Sequence, residues 1–244
     1  MLHIFMGVTH MSKHKLIMEG WRRFLKESQQ LNRDDMRLLY VDKSDGNGKA
    51  FNIVLYIQTQ QNVKVIGGID CVETESPCIP KTMMVATVYR DSQFAGQRLG
   101  DLLYDCGFYV AQSLGFGLTS DKEGGTKTGA KKHWKRFEAN PEYQKKATPA
   151  GNNEFDYDGS TPDPDDDCDM PDEASSNATD HSFLKKNPDD IEPVFIKMEQ
   201  NHLNYLDDLK FNQGYTSEQI VQLIEDIKLE AAYLFADEYD NAED

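Results

Sequence analysis

The residues best placed to do chemistry lie between Arg90 and Asp121, where the chain reads R-D-S-Q-F-A-G-Q-R-L-G-D-L-L-Y-D-C-G-F-Y-V-A-Q-S-L-G-F-G-L-T-S-D. An apolar run from Met83 to Val88 predicts a strand that leads into a turn between Gly96 and Gly100. Beyond the turn, Leu99, Leu102, Leu103, Cys106, Val110 and Leu114 recur at helical spacing. Gly115 stops that helix, and Phe116 to Ser120 reads as the next strand. Strand, glycine turn and helix together make a local anion site, because the first N–H groups of a helix lack intrahelical acceptors and the helix dipole favours negative charge there. A phosphate-bearing ligand is therefore expected at Gly96, Gln97, Arg98, Leu99 and Gly100, with the Arg98 guanidinium adding a charge-assisted contact.

These residues need a sheet to hold them. Met36 to Val41, Phe51 to Gln58 and Val63 to Val72 read as strands that precede the organising segment, with turn clusters at 44–48 and 59–62 between them. Three or four antiparallel strands followed by a strand-helix-strand crossover predict an α/β fold with a mixed, mostly antiparallel sheet and flanking helices. A further helix is expected from about Gly129 to Phe137, carrying Trp134 and Phe137 on its apolar side.

The charge is divided along the chain. Of 244 residues with net charge -16, residues 1–149 hold 21 Lys/Arg against 16 Asp/Glu, whereas residues 150–244 hold 5 against 26. The acidic half excludes nucleic acid as its partner, since phosphate neutralisation needs clustered Lys and Arg. No run reaches the length of a transmembrane span, so no membrane partner is expected. Cys71, Cys78, Cys106 and Cys168 have no Cys-x-x-Cys spacing, which predicts reduced cytoplasmic thiols and no metal site.

The order of elements, with A-G-Q-R-L-G at residues 95–100, resembles the GCN5-related N-acetyltransferase (GNAT) family, whose phosphate loop reads Gln/Arg-x-x-Gly-x-Gly/Ala. Gly96 and Gly100 match, while Ala95 and Arg98 depart from the pattern; the shifted register Gln93-x-x-Gly96-x-Arg98 restores the first position and loses the last. The likeness covers about residues 36–146 and implies a cofactor, acetyl-CoA, whose pantetheine arm lies between two splayed parallel strands. It implies acetyl transfer to an amine that the sequence does not identify. Backbone groups at Val88, Tyr89 and Arg90 would polarise the thioester, and a carboxylate would take the amine's proton. Asp70, Glu73 and Asp121 are the candidates, with Asp121 and Glu73 preferred. The family's Ala-x-x-x-Tyr proton donor reads Ala130 to Trp134 here, and indole cannot act as that acid. His133, Tyr104 and Tyr143 are the replacements considered.

Four segments are expected: a helical leader at 1–30, the acyltransferase domain at 31–150, a disordered acidic linker at 151–182 and a helical hairpin appendage at 183–244. The leader's M-E-G-W-R-R-F-L-K-E-S is similar to capsid-targeting peptides of tailed-phage proteins, trimmed after a motif such as Leu25-Lys26-Glu27. That likeness implies a host-cytoplasmic or virion-associated protein of a bacteriophage. It leaves two alternatives to an enzyme: a virion or assembly component that contacts the phage capsid, and an acidic decoy that binds a host protein.

Overall fold

A computed structural model of the chain describes residues 31–46, 48–59, 62–74, 79, 81–121, 128–145 and 181–240. The expected leader and residues 151–180 of the expected linker lie outside the described residues; the linker's last two residues are described, and Ser182 is buried, its hydroxyl accepting from Thr82 Oγ1 at 2.8 Å. Among the described residues seven strands form one sheet: β1 (Arg37–Asp42), β2 (Ala50–Gln58), β3 (Val63–Glu73), β4 (Thr82–Arg90), β5 (Gly117–Ser120), β6 (Tyr143–Lys145) and β7 (Phe183–Lys185). The spatial order is β1-β2-β3-β4-β5-β7-β6. Among the described strands only β4 and β5 run parallel. Their connection is α1 (Leu99–Ser113); α2 (Thr128–Ala139), α3 (Glu192–Phe211) and α4 (Ser217–Asp240) follow. The chain is thus mixed α/β with a mostly antiparallel sheet.

Two apolar layers sandwich the sheet. On one face α1 buries Leu99, Leu102, Leu103, Cys106 and Val110 against Ile53, Ile69, Met83 and Leu118. These are five of the six positions that the spacing singles out; the sixth, Leu114, is the C-cap and is 40% exposed. The helix ends in a Schellman arrangement, where Phe116 N–H donates to Ala111 O and Gly115 N–H to Gln112 O. Opposite, Tyr205 and Leu209 of α3 and Ile227, Ala231 and Phe235 of α4 cover Leu39, Val54, Tyr56 and Val65. Helix α3 serves both layers, since its Phe195 and Met198 belong to the first. It runs along the edge strand β1, where Asn201 donates to the carbonyls of Asp34 and Met36. That contact covers backbone groups that an edge would otherwise present.

The hairpin is therefore part of the domain. The boundary expected at 182/183 runs through the sheet, because β7 lies between β5 and β6. Strands of three residues carry no readable alternation, so β6 and β7 left no signal in the sequence. Helix α4 packs so closely on β3 that a Cβ at Gly68 would stand 2.6 Å from Phe235 Cζ. At the start of α4 a Thr216-x-x-Gln219 capping box forms, with Thr216 N–H donating to Gln219 Oε1 at 2.8 Å.

Burying an apolar side chain is worth about 1.5–3 kcal/mol, whereas one neutral hydrogen bond nets about 1 kcal/mol. Apolar burial therefore holds the hairpin down, and a polar pair fixes how it sits. His202 of α3, 6% exposed, meets the Tyr56 hydroxyl of β2 through Nδ1 at 2.5 Å. Burial first, and the Arg37 guanidinium second, hold the His202 pKa below the ordinary 6.5. The folded chain thus disfavours a proton that the unfolded chain accepts, so stability is complete above about 6.5 and falls as pH drops toward the folded pKa. Urea unfolding midpoints should decline through that window. His202→Gln, which keeps a hydrogen-bonding side chain without the titration, should show a shallower decline; an unchanged slope would remove His202 as a cause.

Candidate functional site

The parallel strands part after four residue pairs. The register joins Thr82 to Gly117, Met83 to Leu118, Met84 to Thr119 and Val85 to Ser120, and there β5 ends, while β4 continues to Arg90. A bulge lies at the same level. Asp70 of β3 pairs with Thr87 and Cys71 with Val85, which leaves Ala86 as the extra residue on β4. Such an insertion bends its strand and increases the local twist. Past Val85, β4 runs on beyond the end of β5, and among the described residues Ala86 to Arg90 have no strand pair on that side; this stretch is referred to below as the opening.

At the mouth of this opening is the turn into α1. Its first part is a 3-10 turn at Ser92–Phe94, capped by Asp91, whose carboxylate accepts the Gln93 N–H at 2.8 Å. Lys64 at the start of β3 holds the turn, with Nζ 2.5 Å from Asp91 Oδ2 and 2.8 Å from Gln93 Oε1. Gly96 follows at φ +83°, where a Cβ would meet nothing within 4 Å, so its conformation requires glycine and the space beside it is open. Arg98, at φ 61°, is also left-handed and stands at the N-cap of α1. Leu102 N–H donates to Arg98 O, so the N–H groups of Leu99, Gly100 and Asp101 precede the first N–H that has an intrahelical acceptor.

The individual loop residues differ in what they offer. Gln97 N–H donates to Phe94 O at 3.2 Å, and its side-chain oxygen accepts the Leu31 N–H at 2.7 Å. Gln97 is thus committed to the loop and is corrected as an expected N–H donor to a ligand. Leu99 is core. Gly100 is small for a reason other than phosphate: a Cβ there would stand 3.2 Å from His133 Nε2. Arg98 points away from the expected role, its Nε bonding Asp101 Oδ2 at 2.9 Å.

Asp101, in the first turn of α1, is the electrostatic centre of this end and was not visible as such in the sequence. It binds Arg98 and Arg136, and Oδ1 lies 3.3 Å from His133 Nδ1. Burial opposes its charge, but the hydrogen bonds from Arg136 and Arg98 prevail and lower its pKa. His133 Nδ1 is buried and makes no hydrogen bond, so its contact with Asp101 is one of proximity. Burial, then Arg136, lower its pKa. Its ring lies 4.8 Å from that of Tyr104. His133 therefore sits beside the turn that leads into α1.

The remaining candidates are scattered. Val88, Tyr89 and Arg90 are the last residues of β4, past the bulge, so their backbone borders the opening. Asp121 follows directly on β5, 9% exposed, at the other side of the opening. Glu73 does not belong here. It pairs with Met83 at the far end of β4, roughly 20 Å from the loop by strand rise, and accepts the Lys49 N–H at 2.9 Å. Asp70 was the unpreferred carboxylate, yet it pairs with Thr87 beside the bulge. Trp134 is core, 4% exposed, against Tyr104, Phe137 and Phe183. Burial pushes the Tyr104 and Tyr143 hydroxyls well up, and Tyr143 donates to Asp105 at 3.2 Å. Neither tyrosine points to a role in proton donation.

No family model matches this chain. No curated protein and no solved structure matches it either. Among the described residues no group of three or more His, Cys, Asp or Glu is arranged to hold a metal ion, and no helix is long and apolar enough to cross a membrane.

The loop depends on Lys64, which lies outside the sequence motif. Replacing it by Met leaves Asp91, only 7% exposed, without its cation. Lys64→Met should cost about 1–3 kcal/mol in urea unfolding, with faster amide exchange at Gln93 and Gln97. A loss below about 0.5 kcal/mol, the scale of an ordinary surface substitution, would show that Lys64 does not hold the turn.

Proposed function

We propose that this protein is an acetyl-CoA-dependent N-acyltransferase that carries an acetyl group to an amine. The observation that carries the reading is the parallel pair β4/β5, which parts at Val85 and Ser120 beside a bulge and leads straight into a loop and helix N-terminus. An elongated thioester can lie along such an opening with its phosphates at the loop and its acyl group at the bulge. Gly96 gives the pyrophosphate open space, and the first N–H groups of α1 give it donors. The edge of β4 from Val88 to Arg90 supplies backbone N–H groups for the carbonyl oxygen, which becomes an oxyanion in the transition state.

The reaction balances without a tyrosine acid. A neutral amine attacks the thioester carbon, the C–N bond forms, and the adduct's nitrogen carries one proton more than the amide needs. Collapse breaks the C–S bond, and that proton leaves with the thiolate, giving amide and free coenzyme A. Trp134 then acts only in packing.

One observation favours a second reading, a non-enzymatic virion or phage assembly component. The Asp101 carboxylate already occupies Arg98 and Arg136 at the end of α1 where phosphate would bind. Calorimetric titration of the protein with acetyl-CoA separates the two readings. Micromolar binding is expected, and Gly96→Glu should abolish it by placing a negative side chain in the open space of the loop. The left-handed Gly96 makes that substitution cost about 1–2 kcal/mol, so a melting curve must accompany it. Absence of binding by the folded wild-type chain would move the assignment to the second reading.

A further inference from the structure

We propose that residues 13–29 dock as an amphipathic helix along the outer side of α3, with their apolar face on Ile196, Leu203 and Phe211. This goes beyond the acyltransferase reading and does not depend on it.

The surface comes first. Ile196, Leu203 and Phe211 are 51%, 48% and 72% exposed. They follow one another at seven and eight residues, so they share one broad line along α3. The buried positions of that helix are Met198, His202, Tyr205 and Leu209, and by the helical period they lie on its opposite side, against the sheet. A helix that only covers a sheet needs one apolar stripe. Helix α3 carries two, and the sheet accounts for one of them.

Where the chain enters the domain says what lies nearest the second stripe. Leu31, the first described residue, is half-buried against the main core, and Gln97 accepts its N–H. Asp34 then pairs with Lys197, the neighbour of Ile196, and Asn201 donates to the carbonyls of Asp34 and Met36. The thirty residues before Leu31 therefore join the domain beside the N-terminal half of α3. An extended residue spans about 3.3 Å, so a link of three or four residues crosses the roughly 10 Å width of a helix.

That segment has the complementary pattern. At helical spacing Ile17, Trp21, Phe24, Leu25 and Ser28 fall on one face. Ile17 to Ser28 is about 17 Å of helix, within the roughly 22 Å from Ile196 to Phe211. The charges are opposite as well. Residues 1–30 hold five Lys/Arg and two Glu, whereas residues 192–240 hold three Lys and eleven Asp/Glu. Glu199 and Asp207 stand on α3 within the span of the stripe. A second copy of the chain would set this acidic hairpin against its own like, which repulsion disfavours. A basic, amphipathic segment already tethered beside α3 meets no such penalty.

The test follows residues 13–29 in the full chain, by limited trypsin digestion after Arg22, Arg23 and Lys26 and by acrylamide quenching of Trp21. The other tryptophan, Trp134, is 4% exposed and contributes little quenching. In the wild type Trp21 should be shielded relative to a synthetic peptide of residues 13–29. Leu203→Asp alters an exposed side chain, so its melting curve should remain one cooperative transition. Cleavage at the three sites should rise about tenfold or more, because proteolysis tracks the population of the open form, and Trp21 should become as quenchable as in the peptide. Ile196→Asp should act in the same way, and gives the reading if Leu203→Asp does not fold. Leu229→Asp, at an exposed apolar position of α4, should leave both readouts at wild-type values. Wild-type Trp21 as accessible as in the peptide would overturn the proposal, and so would equal acceleration by Leu203→Asp and Leu229→Asp. A sedimenting dimer that Leu203→Asp converts to monomer without changing cleavage would give the stripe to a second copy and overturn it too.

Discussion

The parting of β4 from β5 is the constraint on which the rest of this molecule depends. Two parallel strands joined by a single helix would ordinarily pair along their full common length and close the sheet. Here β5 is only four residues long and β4 nine, and the extra residue Ala86 falls just past the last shared pair. Since a bulge leaves one residue unpaired and turns its strand, the five residues from Ala86 to Arg90 are carried past the end of their neighbour. Helix α1 must begin at the end of that longer strand, which is why the loop and the opening share one end of the sheet.

Keeping such a sheet stable requires both faces to be covered. Helix α1 covers one. The other is covered by a hairpin that comes from the far end of the chain and reaches its place by running along the edge strand β1. The same arrangement covers the β1 edge and buries the Tyr56–His202 pair that sets the hairpin's position. One consequence is that α4 is pressed flat on β3 at Gly68.

Charge at the loop is balanced internally. Lys64 pairs with Asp91 before the turn, and Arg98 and Arg136 converge on Asp101 after it. The first pair is largely buried and fixes geometry, because an uncompensated carboxylate at Asp91 would be costly. The second group is more exposed, so its contribution to stability is small.

Much of this was written in the local sequence. The alternation and apolar runs of β1 to β5, the helical spacing from Leu99 to Val110, the stop at Gly115 and the Thr216/Gln219 capping box each depend on neighbours within a few residues, and each appears in the structure. The glycine turn before α1 was legible for the same reason. Sequence alone did not reveal β6 and β7, since three-residue strands are stabilised by their partners rather than by a pattern of their own. Nor did it rank the carboxylates. Glu73 and Asp70 lie three residues apart on one strand, on opposite faces by alternation, and only the register with β4 puts one beside the bulge and the other at the far end. Lys64, Asp101 and Arg136 took their roles from partners distant in sequence or from how a turn folds. Periodicity determined which segments form and which faces are apolar, because those depend on local geometry. The tertiary structure alone decided which charges meet, because a salt bridge is set by distance in space.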